Sequence, residues 1–194
     1  MRGHSLAFWV DVCIKVALVG LLAFGAFSGL QQFAGKAFGW RLVFYPLAAI
    51  AVPLGWTLAG RPPPYPYALD ILIVAPFLVD VLGNIFDLYD SISWWDDLNH
   101  FANWCLLSLA TGQLLLRFRL PRAETFVMIV GVGAIAAILW ELAEYVAFIR
   151  NSDELATAYT DTLGDMALGL AGATVAAILT VTLAERRRAA ARTA

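Results

Sequence analysis

Acidic side chains recur where the chain is otherwise suited only to lipid. The stretch SISWWDDLNHFANWC, residues 91–105, brings Asp96, Asp97, His100 and Asn103 to the mouth of the apolar run LLSLATGQLLL. Asp96, His100 and Asn103 are four and three residues apart, which puts them on one helix face. Asp80, Asn84 and Asp87 repeat that spacing in DVLGNIFD. Glu141 and Glu144 lie three apart in LWELAEYV, and Asp161 and Asp165 four apart in YTDTLGDM. An ionised carboxylate in mid-membrane costs at least about 2.5 kcal/mol, so such groups face the bundle interior or water. Clustered carboxylates cannot all stay ionised in a dry place uncompensated. Lys15 and Arg61 are expected at one membrane face and Arg150 at the rim of the other, with no basic residue at the depth of the acids. That leaves a bound metal cation, protons, or water from the outer face.

The metal reading gains from ligand spacing. Asp97 and His100 make a carboxylate-x-x-His pair, and Glu141 with Glu144 a carboxylate pair on a facing helix. Di-metal carboxylate bundles use two Glu-x-x-His pairs plus two more Glu, so the match is partial. Asp80, Asp161 and Asp165 add oxygen ligands, with Asn84, Asp96 and Tyr145 as partners that orient them. A single imidazole among oxygens favours Mg²⁺, Mn²⁺, Ca²⁺ or iron over zinc. His100 and Glu144 are the acid/base candidates. Plainer readings compete. Asp96 or Asp97, and Thr160 or Asp161, can serve as helix N-caps, while Asp87, Asp90, Asp153 and Glu154 read as solvated loop residues. Asp80, Glu141, Glu144 and Asp165 resist these readings, because each lies more than a turn inside an apolar segment. Asp11 and Lys15, spaced i, i+4, read as a self-neutralising pair near the inner interface.

The elements that must position these groups follow from composition. Of 194 residues, 61% are hydrophobic and 14% charged, against about 45–50% and 25% in soluble domains. The fold class is therefore all-α, a polytopic membrane bundle in one integral domain. Six segments reach the roughly 20 residues a membrane helix needs: about 7–30, 42–60, 67–88, 98–118, 124–149 and 160–184. Gly35 and Gly39 flank the first break, and RPPPYP (61–66) stiffens the second. Arg2, Arg61, Arg117, Arg119, Arg122, Arg186, Arg187, Arg188 and Arg192 fall on one side, and Lys36, Arg41 and Arg150 on the other. Basic residues are retained on the cytoplasmic side, so both termini are expected there. All four acid-bearing helices then present their carboxylates within about 15 Å of the outer ends, at 1.5 Å per residue. A cleaved signal peptide over the first segment is disfavoured by Asp11 and Lys15 within it. Gly164, Gly169, Gly172, Ala173 and Ala176 keep the last helix slim, so that it can bring Asp161 and Asp165 against the fifth. Cys13 and Cys105 fall in separate helices and read as free thiols. The net charge of −2 gives no sign of a nucleic-acid partner.

The series DVLGNIFDLYD, WWDDLNHF, ILWELAEY and YTDTLGDMALGLAGA resembles the YjdF-like family of small bacterial inner-membrane proteins, over roughly residues 70–176. The resemblance implies motif positions at Asp80, Asn84, Tyr89, Asp90, Asp97 or Asp96, His100, Glu141, Glu144, Asp161 and Asp165, and a bacterial inner-membrane location. It brings no established activity. Three functions fit the residues. The leading one is a metal-dependent hydrolase or transferase acting on a lipid-linked or amphipathic substrate at the outer leaflet. The others are a cation- or proton-coupled transporter and a non-catalytic membrane subunit with a structural ion.

Overall fold

The computed structural model describes residues 5–147 and 149–193. Arg2, which enters the readings above, lies outside them, as does Phe148 within the expected segment 124–149. All regular structure among the described residues is helical: α1 Leu6–Phe27, α2 Phe38–Leu58, α3 Tyr67–Ile85, α4 Leu88–Ser91, α5 Trp95–Leu115, α6 Arg122–Ala147 and α7 Ala158–Thr193, with short 3₁₀ turns between some of them. The chain forms two compact units, one ending at Asp96 and the other beginning at Asp97.

In the first unit α1 packs on α2 and α3, and α2 packs on α3. Ser5 caps α1, its hydroxyl accepting from the Phe8 N–H at 3.3 Å. Leu18, Leu22, Val74 and Val81 are fully buried between the helices. A Cβ on Gly25 would stand 2.1 Å from the Phe38 ring, so α1 and the start of α2 meet where only glycine fits. Helix α2 starts at Phe38, a full turn before the expected residue 42, and takes in Gly39 and Arg41. Pro46 and Pro53 within α2, and Pro76 within α3, are the kind of interruption that packed membrane helices tolerate. At the α1–α2 turn Lys36 hydrogen-bonds Asp90 of α4, which holds that exposed carboxyl below its ordinary range.

In the second unit α6 and α7 pack along their length, and glycines set how closely α5 joins them. A Cβ on Gly172 would lie 2.3 Å from the Phe101 carbonyl oxygen, and one on Gly169 would lie 2.9 Å from both Ala137 and Trp104. On α6, Gly133 meets Ala173 and Ser108 in the same way. Gly164 has nothing within 4 Å of its would-be Cβ, so the slim face of α7 begins later than the glycine pattern predicts. The last helix also runs past the expected residue 184 to Thr193, because ERRRAAAR is made of strong helix formers.

Helices α1, α2, α3, α6 and α7 are each long and apolar enough to cross a membrane. Their large side chains face outward, with Leu6 and Phe27 80% and Leu58 79% exposed. Soluble monomers rarely expose apolar patches on that scale. Six spans are expected from the hydropathy pattern, and α5 is the one that falls short. It has the length, at 21 residues, but Asp96, Asp97, Asn99, His100 and Asn103 make its first turns polar.

The glycine contacts make a paired test. Gly172→Ala should cost about 1–3 kcal/mol, the usual penalty of overpacking, because the clash is with backbone. Gly164→Ala should stay within about 1 kcal/mol of the parent, in the stabilising direction, from helix propensity. Thermal unfolding in detergent reads both, and equal losses would contradict the packing described.

Candidate metal centre

Two helices of the second unit bring acidic groups to an imidazole on a third. His100 sits in the second turn of α5, Glu141 and Glu144 near the end of α6, and Asp165 in the second turn of α7. His100, Glu141 and Asp165 are 8%, 5% and 4% exposed, and Glu144 is half-buried. His100 Nδ1 lies 3.6 Å from Glu141 Oε1, and Nε2 lies 3.8 Å from Asp165 Oδ1. The ring therefore has a carboxylate near each nitrogen.

His100, Glu141 and Glu144 each offer a ligand atom, and these atoms all lie within 4.8 Å of one another. Ligands of one ion cannot be more than about 5 Å apart, twice an ordinary metal–oxygen or metal–nitrogen bond of about 2.0–2.6 Å. The three groups could thus hold a single cation with small side-chain adjustments. Only one ring nitrogen can face that ion. The other, Nε2, lies 3.8 Å from Asp165 Oδ1, and a small approach would let it donate to that carboxylate, the arrangement that fixes the tautomer of a metal-bound imidazole. Three carboxylates around one imidazole carry excess negative charge in either protonation state of the ring, and burial makes that charge costly without a counter-ion.

The structure sorts the remaining candidates. Asp97 is exposed and Asp96 half-buried, so the pair on the side of His100 is Asp96–His100 at i, i+4, not Asp97–His100. Asp161 is exposed in the first turn of α7, where a carboxylate suits the helix dipole. Tyr145 is 47% exposed and stands apart from the buried group. Asn99, which the spacing argument passes over, is buried and accepts from the Asn103 amide at 2.7 Å.

Asp80 and Asn84 belong to the first unit, and there the expectation that no basic residue reaches the acids is corrected. Arg41 ion-pairs with Asp80, whose Oδ2 also accepts from the Tyr45 hydroxyl and whose Oδ1 accepts from Tyr89, each at 2.7 Å. The extra first turn of α2 is what carries Arg41 inward. The Asn84 amide donates to the Asp80 carbonyl, one turn back on its own helix, at 3.0 Å. Asp80 is thus the hub that ties α2, α3 and α4 together. Gly83 makes room for Tyr89 of α4 and for Trp95 at the start of α5, since a Cβ there would lie 2.4 Å from Trp95 and 2.7 Å from Tyr89.

Outward-facing apolar helices around buried ionisable groups define a helical integral membrane protein. The chain belongs to the family described as Predicted membrane protein (DUF2238), which covers residues 13–186 of it. No curated protein and no solved structure matches it.

Asp80→Asn keeps the shape of the side chain but leaves the half-buried Arg41 beside a neutral group. Breaking a buried ion pair from one side typically costs about 3–5 kcal/mol. The variant should show a large drop in thermal stability, while the metal content of the folded fraction stays at the parental level. Parental stability would show that Asp80 is not the hub of its unit.

Proposed function

We propose that this protein is a metal-dependent membrane enzyme, a hydrolase or transferase acting on a lipid-like substrate. The observation that supports it best is the mutual approach of His100, Glu141 and Glu144, buried or half-buried, with Asp165 on the second ring nitrogen. The oxygen-rich set suits Mg²⁺, Mn²⁺, Ca²⁺ or iron better than zinc. Such an ion polarises a substrate oxygen and acidifies bound water. Glu144, the least buried of the four, is the group placed to move a proton to or from a substrate. Asp96, one turn before His100, is a further ligand candidate.

In this reading α5 is the sixth span, the chain is a single integral domain with both termini in the cytoplasm of a bacterium, and the family is the YjdF-like one. In the second unit Arg117, Arg119, Arg122 and Arg186–Arg188 lie toward the helix ends opposite the acids. The positive-inside rule then puts the acids toward the outer leaflet. A cysteine at Ser91 should react with an impermeant reagent from outside, and one at Ala190 should not. The reverse pattern would overturn the orientation.

The flanking of one imidazole by two carboxylates also favours a second reading, a proton relay in a coupled transporter. Metal content separates the two. Detergent-purified protein should carry a near-stoichiometric divalent metal by elemental analysis, and Glu141→Gln should lose most of it and melt lower, since a ligand that binds only the folded chain stabilises it. Metal-free wild-type protein, with Glu141→Gln melting normally, would defeat the enzyme reading in favour of the relay.

A further inference from the structure

A second buried ionic cluster lies in the first unit, far along the sequence from the His100 group. Lys15 of α1 stands 3.1 Å from Asp11 Oδ2 and also ion-pairs with Oδ2 of Asp70, in the first turn of α3. The Tyr65 hydroxyl donates to the same Asp70 oxygen. The Asp11–Lys15 pair expected from spacing is therefore a triad, and its charges do not cancel: two carboxylates face one ammonium. The Asp70 side chain is fully buried and that of Asp11 is 8% exposed. The other oxygen of each, Oδ1, is buried with no hydrogen-bond partner.

Among the described residues, no second cation is paired with these carboxylates. On α1 the ionisable neighbours are Asp11, Lys15 and Cys13, and the thiol is exposed. From α3 and the segment before it come Asp70, Tyr65, Tyr67 and Arg61, whose guanidinium lies over the Trp56 ring. On α2 the ionisable groups are Arg41 and Tyr45, both engaged with Asp80. One negative charge is left over in an apolar helix interface, where an uncompensated ion costs several kcal/mol. Both Oδ2 atoms contact the same ammonium, so the two carboxyl groups are neighbours, and like charges that close disfavour double ionisation.

We propose that the Asp11–Asp70–Lys15 cluster is a proton-binding site: at neutral pH one proton is held by the two carboxyl groups of the folded chain, bringing the cluster to zero net charge. A proton neutralises one carboxylate and adds no volume. A metal cation would have to settle beside the Lys15 ammonium, which repels it. Lys15, with 19% of its side chain exposed, lies at the accessible edge of the cluster, and Asp70 lies at its closed end. The site is independent of the His100 group and stands whether or not that group holds a metal.

Infrared spectroscopy and melting of the full chain in detergent test it. At pH 7 the wild type should show the C=O stretch of a neutral carboxylic acid. The band should persist in Glu141→Gln and Asp165→Asn, and vanish in Asp11→Asn, where Lys15 and Asp70 balance one to one. If Asp11→Asn does not fold, isotopic labelling of aspartate alone should move the band in the wild type. Aspartates of the unfolded chain are ionised above about pH 4, so the folded state holds the extra proton. Folding should then weaken as pH rises, by up to roughly tenfold in the equilibrium constant per pH unit for one proton. The melting temperature should fall accordingly, and Asp11→Asn should lack that component. A wild-type spectrum without the band, a band unchanged by Asp11→Asn, or a melting temperature that follows sodium concentration in place of pH would overturn the proposal.

Discussion

Moving a charge from water into an apolar interior costs several kcal/mol even after the surroundings relax, and the buried ionisable groups of this chain are arranged around that cost. Arg41 and two tyrosine hydroxyls answer Asp80. Lys15 answers Asp70 and part of Asp11. Each arrangement joins helices that hydrophobic packing alone would hold loosely in lipid, where side chains gain nothing by leaving one apolar medium for another. The polar contacts give the first unit its register: Asp80 selects one rotation of α3 against α2 and α4, and Asp70 selects one of α3 against α1.

The second unit meets the same constraint differently. The cluster around His100 sets an imidazole between carboxylates. A group of acids that a fixed cation neutralises has its role in the fold. A group in which acids converge on a titratable imidazole can exchange protons or take up a cation, and that is what makes a buried cluster a candidate for chemistry. The glycines of α6 and α7 are part of the same design, because α5 must approach closely for His100 to reach carboxylates on two other helices. Packing at Gly172 and Gly169 thus sets the geometry several residues away.

The Lys15 cluster sits between these cases. One fixed cation meets two carboxylates, so half of the charge is settled by the fold and half is left to a proton. Its position at the start of α1 and α3 ties that proton to the packing of the first unit.

The membrane class, the start of every long helix to within about a turn, and the list of acids that cannot be surface decoration were legible in the sequence, because hydropathy and i, i+3/i+4 spacing are local properties. Glu141, Glu144, His100 and Asp165 could be named from spacing alone. Tertiary structure decided which acid meets which partner. Asp80 looked equivalent to Asp165, yet Arg41 claims it, because α2 begins one turn earlier than its apolar run suggests and swings a rim arginine inward. Asp97 and Asp96 were indistinguishable by residue type, and the helix phase relative to the core separates them. Lys15 looked satisfied by Asp11, four residues on the N-terminal side, until α3 brought Asp70 from 55 residues away. Electrostatic compensation depends on distance in space, and a chain of helices discloses that distance only when it has packed.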